Sequence, residues 1–292
     1  MIAVDWGSTS LRAFRLDARG RVVETRRSAQ GIIACDGRFG ETLAGLLQGW
    51  DEPLVVMAGM IGSRQGWREI PYVPCPAGLP ELAAAMQEIP DALAGRRVWL
   101  AAGQSVQRAD GEHDVMRGEE TQVCGLLPAL PAGPQVVCMA GTHCKHVRIV
   151  DGRVVDFSTL MTGELFQLLC QHSLLGRLMQ PGAPDADAFA QGLERAGRDP
   201  HWLQQLFTVR SRGLFAQLRP DQLASYLSGL LIGHELAALP AAAEVQLVAS
   251  EALAPLYTAA LQRLGRRVRL HGETVTALGL HALATQRGLL AA

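Results

Sequence analysis

The sequence predicts an α/β fold assembled from a duplicated β-β-β-α unit, and three observations carry that prediction. First, I-A-V-D (2–5) runs into the small-residue turn Gly7-Ser8-Thr9-Ser10. The alternating stretch L-R-A-F-R-L (11–16), the turn D-A-R-G (17–20) and R-V-V-E-T (21–25) then follow. Second, Q-V-V-C-M-A-G-T-H-C-K-H-V-R-I-V-D-G-R-V-V-D (135–156) repeats that order. An apolar strand meets a turn at Gly141-Thr142, a strand runs to Val150, a turn falls at Asp151-Gly152, and a third strand follows. Third, the hairpin exits match, G-R-V-V-E at 20–24 and G-R-V-V-D at 152–156. Hairpins favour such residues, but a match at the same point of two like units reads as internal duplication.

The remaining elements follow in order. G-E-T-L-A-G-L-L-Q-G-W (40–50) has helical spacing, L-V-V-M-A (54–58) is an apolar strand, and P-E-L-A-A-A-M-Q (80–87) is helical again. V-W-L-A (98–101) is a strand, R-A-D-G-E-H-D-V-M-R-G (108–118) reads as a polar loop, and a helix runs from Glu119 to Leu127. The Pro/Gly-rich stretch 176–184 is a loop between helices. Residues 220–239 and Leu253–Leu264 carry apolar stripes at helical spacing, which are core by default. His234 on such a stripe reads as a packed histidine. Ala277 and Gly279 in 274–283 suit close helix packing.

Composition narrows the function. The 292 residues are 48% hydrophobic with a formal net charge of -1, so no electrostatic pull toward nucleic acid or anionic lipid is expected. No apolar run approaches the ~18–20 residues of a membrane span, and no secretory signal is visible. Six scattered cysteines without a C-x-x-C pair read as reduced thiols of a cytoplasmic protein. The eight histidines form no H-x-x-x-H or H-x-x-E-H pair, so a protein-built metal cage is not expected.

The turns suggest the chemistry. Glycine lets backbone approach a ligand closely, and exposed N–H groups with Ser and Thr hydroxyls make a concave donor site for phosphate. Asp5 at the end of the first strand would be costly to bury alone but favourable beside hydrated Mg²⁺. A lone D-x-G-S-T is satisfied by a tight turn; the second copy at 141–142 shifts the reading toward a nucleotide site. The Gly- and Pro-dense stretch 57–78 reads as an ordered binding loop. There Gly62, Ser63 and Arg64 are the preferred substrate contacts, with Arg12 beside them, because an Arg fork suits a carboxylate. Arg64 and Arg68 read equally well as solvated surface charges.

These segments resemble a known family. V-D-W-G-S-T-S-L-R-A (4–13), V-M-A-G-M-I-G-S-R-Q-G-W (56–67), V-M-R-G-E-E-T-Q (115–122), A-G-T-H-C-K (140–145), T-G-E-L (162–165) and L-S-G-L-L-I-G-H-E (227–235) are similar to the 2-dehydro-3-deoxygalactonokinase family, within the sugar kinase, hsp70 and actin superfamily. The resemblance implies a two-domain actin-like (ribonuclease H-like) ATPase fold with duplicated units around a nucleotide cleft. It places an N-terminal domain over 1–118 and a C-terminal domain over 119–292. It also implies ATP and Mg, with the C6 hydroxyl of 2-dehydro-3-deoxygalactonate as acceptor. Asp5, Gly7, Ser8, Thr9, Gly141, Thr142 and His143 would then hold the nucleotide phosphates, and Asp5 the Mg through water. Met139 stands where the second loop of the superfamily often has an acidic residue, which leaves the metal to Asp5 alone. Ser250 and Glu251 stand where the superfamily usually has the glycine pair of its adenosine turn.

Glu119 and Glu120 open a helix, where the helix dipole alone favours acids. The resembling families place an acidic residue of the cleft here, and Glu120 is the preferred general base, with Glu119 as alternate and Asp114 next. Two alternatives remain: an exopolyphosphatase-like phosphohydrolase, suggested by G-E-E before a Gly-Thr turn, and a non-enzymatic nucleotide- or sugar-sensing module. Against the first, 27 Lys+Arg face 28 Asp+Glu, leaving no basic surplus for a polyanion channel. Against the second, there is no basic stripe and no N-terminal DNA-binding helix pair.

Overall fold

A computed structural model describes residues 1–198 and 201–290. In chain order its elements are β1 (Ile2–Trp6), β2 (Leu11–Leu16), β3 (Val22–Ser28), α1 (Phe39–Leu46), β4 (Leu54–Ala58), β5 (Val73–Pro74), β6 (Ala77–Gly78), α2 (Leu79–Ala84), β7 (Gln87–Glu88), β8 (Arg97–Leu100), β9 (Gln104–Gln107), β10 (His113–Met116) and α3 (Glu119–Leu126). There follow β11 (Gln135–Met139), β12 (Cys144–Val150), β13 (Arg153–Leu160), α4 (Thr162–His172), α5 (Ala186–Ala196), α6 (Trp202–Leu214), α7 (Leu223–Ala237), β14 (Glu244–Val248), α8 (Ala254–Arg263), β15 (Arg267–His271) and α9 (Val275–Gln286).

Duplication is written into the sheets. The first has the order β3-β2-β1-β4-β8-β7 and the second β15-β14-β11-β12-β13-β6. Read from β3 and from β13, the first five strands therefore follow the same path. In each, the third to fifth strands pair in parallel, β1 with β4 and β4 with β8, β11 with β14 and β14 with β15. Such central strands are covered on both faces, which is why β4 and β11 appear in the sequence as unbroken apolar runs. β3, at a sheet edge, alternates half-buried and exposed residues.

The chain divides into two compact units. Unit one comprises Met1–Gln135, Arg148–Phe157 and Glu273–Ala292; unit two comprises Val136–Val147 and Ser158–Gly272. A break at 118/119 is therefore not where the contacts divide. α3 and the C-terminal α9 pack so closely that a Cβ on Gly279 would lie 1.8 Å from the Thr121 carbonyl oxygen. That packing keeps both helices with the first sheet, and it is the close approach expected of Gly279. In unit one the pleat sends Ile2, Val4 and Trp6 into the core with Phe39 and Leu43, and Ala3 into the core with Ala277 and Leu280. Unit two buries Val245 and Leu247 of β14 against Ile232 and Leu236 of α7.

Residues 108–118 depart from the expected loop. β9 and β10 pair antiparallel, turning through Gly111, so the hairpin occupies most of that stretch. Its outward residues Gln107, His113 and Val115 are exposed, which masks the period-two pattern. Among the described residues, no helix is long and apolar enough to cross a membrane.

Candidate active site

Unit one brings Asp5 and Glu120 into one neighbourhood. Asp5 is the penultimate residue of β1, and its Oδ2 accepts from Arg12 Nη2 at 2.6 Å across the β1–β2 pair. Arg12 also reaches Glu273 at 3.0 Å. Burial works against its charge, but the two carboxylates outweigh it and hold the guanidinium above its ordinary pKa. Next to Asp5, a Cβ on Gly59 would lie 3.4 Å from Oδ1, and one on Gly118 would lie 3.3 Å from the Gly59 Cα. Gly118 has φ +111, which only glycine adopts without strain, and it turns the chain from β10 into α3. Its N–H donates to both Glu120 oxygens, at 3.0 and 2.7 Å, and Thr121 Oγ1 donates to Oε1 at 3.0 Å. Burial pushes the Glu120 carboxyl up to about 8, and the neighbouring Glu119 adds to the shift. A carboxyl so placed can take a proton near neutral pH. Glu119 instead accepts from the Arg117 N–H at 3.0 Å.

The first turn is open in front and braced behind. A Cβ on Gly7 would meet nothing closer than 3.6 Å, whereas one on Gly31 would lie 2.2 Å from the Ser8 carbonyl oxygen. Ile32 and Ile33 N–H groups donate to the Gly7 and Ser8 carbonyls. Ser8 is half-buried and Thr9 exposed. Their outward face is therefore available to phosphate oxygens.

Unit two holds a cleft of about 1090 Å³, just above the usual range of about 300–1,000 Å³ for ligand and cofactor sites. Ala140, Gly141 and Thr142 form part of its wall, with Thr162 and Gly163 from the start of α4. Ser250, Leu253, Leu256 and Arg263 line it from the β14–α8 turn and α8, and the stretch Gln180–Ala186 completes it with Phe189 of α5. The second turn repeats the brace: a Cβ on Gly141 would meet only His143 O at 3.8 Å, while one on Gly163 would lie 2.3 Å from Gly141 O.

Several expected contacts are placed elsewhere. His143 is half-exposed and bonded to Glu164, and it is absent from the cleft wall; exposed Glu251 is absent from it too. Gly62 is buried, and Ser63 closes its own turn on Met60 O at 2.7 Å. Arg64 stands 84% exposed beside Glu69 at 3.6 Å, a surface pair. Asp114 is held by Arg108 at 2.8 Å. His234, read as packed, lies 3.0 Å from Gln205 Oε1.

Two features of the structure have no clear signature in the sequence. Arg117 is 9% exposed, stacks 4.2 Å over Tyr72, and donates to Ile70 O, while its Nε and Nη1 have no partner among the described residues. A Cβ on Gly62 would sit 3.1 Å from that Nη1. Its place in M-R-G-E-E-T-Q was the available clue. The wall at 180–186 offered only Pro and Gly density.

Comparison with known proteins agrees with this architecture. Residues 5–283 match the family model described as 2-keto-3-deoxy-galactonokinase. The 2-dehydro-3-deoxygalactonokinase of Escherichia coli (strain K12) is 39% identical over 291 residues, 97% of each chain. A crystal structure assigned as a 2-dehydro-3-deoxygalactonokinase protein from Sinorhizobium meliloti has a TM-score of 0.92 at 37% identity, covering 100% of this chain and 98% of that one. The activator of the 2-hydroxyisocaproyl-CoA dehydratase from Clostridium difficile, solved with bound ADPNP, matches at TM-score 0.54 and 13% identity, over 99% of this chain and 96% of that one. That last likeness bears on the fold alone, which is the actin-like ATPase fold. The phosphohydrolase and non-enzymatic alternatives are not favoured. With whole-length matches in sequence and structure, the chain belongs to the 2-keto-3-deoxy-galactonokinase family, a family of sugar-acid kinases.

Proposed function

We propose that this chain transfers the γ-phosphoryl group of ATP, as its Mg²⁺ complex, to the terminal C6 hydroxyl of 2-dehydro-3-deoxygalactonate. The observation that carries this reading is the pair of braced, open-faced turns, one of which walls a nucleotide-sized cleft. In unit two, the Gly141-Thr142 backbone holds phosphate oxygens, and the surface from Ser250 to Leu256 receives the adenosine end. In unit one, Gly7–Thr9 offers N–H and hydroxyl donors to phosphate. Asp5 fits a hydrated Mg²⁺, because Arg12 occupies Oδ2 and leaves Oδ1 for a metal-bound water. Bound Mg·ATP supplies the phosphoryl group and the charge neutralisation that a loose transition state requires. Glu120 accepts the hydroxyl proton and orients the oxygen for in-line attack, and the Gly118 N–H keeps the carboxylate aimed. Arg117, a buried cation with unused donors, is a better partner for the acceptor's carboxylate than exposed Arg64.

A coupled ADP-release screen over sugars, sugar acids and polyphosphate tests the proposal. Turnover should be confined to 2-keto-3-deoxy sugar acids, with the galactonate form preferred. Robust turnover of an unrelated sugar or of polyphosphate, with none on these acids, would overturn it.

A further inference from the structure

Away from the two turns, metal-ligating atoms converge inside unit two. Cys138 Sγ, a ring nitrogen of His146 and a carboxylate oxygen of Glu235 lie within 4.8 Å of one another. The three residues are 0%, 2% and 3% exposed. They come from β11, β12 and α7, so no local spacing announces them. His146 Nε2 lies 3.2 Å from Glu235 Oε1, and its Nδ1 is buried without a partner among the described residues. Tyr257 donates to Glu235 Oε2 at 2.6 Å, and Cys144 Sγ lies 3.1 Å from the same hydroxyl.

We propose that Cys138, His146 and Glu235 form a binding site for a zinc-class divalent cation. A thiol, an imidazole and a carboxylate together suit Zn²⁺ and not Mg²⁺ or Ca²⁺, which require oxygen ligands. The geometry is near what the ion needs. Tetrahedral Zn²⁺ with legs of about 2.0–2.3 Å puts its donors roughly 3.3–3.6 Å apart. The His146–Glu235 spacing of 3.2 Å already meets this, and the other spacings, all within 4.8 Å, need a contraction of at most little more than about 1 Å. On binding, the Cys138 thiol loses its proton to solvent, His146 ligates as neutral imidazole, and Glu235 exchanges its bond to His146 for the ion. Its other oxygen stays with Tyr257.

The site has a structural consequence. β12 begins at Cys144, directly after the Gly141–His143 turn, and Tyr257 lines the cleft. An ion here ties the strand leaving that turn to α7 and, through Tyr257, to α8.

The test uses the full chain, stripped of metal with a chelator and titrated with Zn²⁺ against a chromophoric competitor, then with Co²⁺. One equivalent should bind and about one proton should be released. Co²⁺ should give a thiolate charge-transfer band with tetrahedral d–d absorption, and the unfolding midpoint should rise. Cys138→Ser and His146→Gln should each weaken binding by more than the roughly 10–100-fold that outer-shell partners cost, while Cys170→Ser leaves it unchanged. Substoichiometric Zn²⁺ binding by the wild-type chain, a Co²⁺ spectrum without the thiolate band, or unchanged affinity in both ligand variants would overturn the proposal.

Discussion

The turns at Gly7–Ser10 and Gly141–His143 share a backbone plan but not a charge plan. Each presents a glycine whose open side admits a ligand, and each rests on a second glycine with no room for a side chain, Gly31 behind the first and Gly163 behind the second. Their acids differ. At the first, Asp5 comes from the strand itself and is held by Arg12. At the second, Met139 occupies the strand end and is buried; the nearby acid is Glu164, which enters from α4 and is engaged by His143. Duplication has thus kept the cradle, which depends on backbone and space, and let the charges diverge. The physical reading is a division of labour. Under the proposed function the second turn would grip the phosphates, while the first turn would also supply the charge that acts on the metal.

The largest expected effect lies at Glu120. Glu120→Gln should keep the fold and lower kcat by about 10²–10⁴-fold, with KM for ATP nearly unchanged, in steady-state assays of both substrates. Turnover within a few-fold of wild type would reduce Glu120 to the start of a helix. Next come the braces. Gly31→Ala and Gly163→Ala must each displace backbone at 2.2 and 2.3 Å, at a cost of roughly 1–3 kcal/mol. Each should raise KM for ATP by on the order of tenfold or more. Equal sensitivity at both positions would show that the two cradles contribute alike.

A smaller effect is expected in the pH dependence of stability. Glu120 has an ordinary value of 4.5 and is raised to about 8 by burial and then by Glu119. Between those values the unfolded chain has released a proton that the folded chain retains. The contribution of Glu120 to stability is therefore full below pH 4.5 and falls as pH rises through the window to about 8, by on the order of a few kcal/mol. Urea midpoints across this range should show the decline, and Glu120→Gln should flatten it. The smallest contrast is between the arginines. Arg117→Met should raise KM for the sugar acid by about tenfold or more, whereas Arg64→Ala, on an exposed pair, should stay within about ±0.5 kcal/mol in stability and near wild type in KM.

What was legible in the sequence follows the same division. Buried parallel strands announce themselves as apolar runs, and glycine-hydroxyl turns mark where backbone must stay bare. The duplicated unit, both turns and the helix start at Glu119 could therefore be read. Contacts assembled over long sequence distances could not. α9 returns to α3 more than a hundred residues later, so the division of the chain is not where a linear reading sets it. The β9–β10 hairpin mixes polar Gln107 and His113 with apolar Val115 on its open side and has no clean alternation. Arg64 and Arg117 look alike as letters; only Tyr72 and Ile70 distinguish the buried guanidinium from the solvated one. Cys138, His146 and Glu235 likewise meet only in three dimensions.

The most direct test of the divergent charge plan is kcat for Asp5→Asn and Glu164→Gln, measured side by side at saturating Mg·ATP and 2-dehydro-3-deoxygalactonate. Both variants should first be verified as folded by their unfolding midpoints. The account predicts a loss of about 10²-fold or more for Asp5→Asn and only a few-fold loss for Glu164→Gln, whose effect should fall on KM for ATP. Equal losses in kcat, or a greater loss at Glu164, would contradict it.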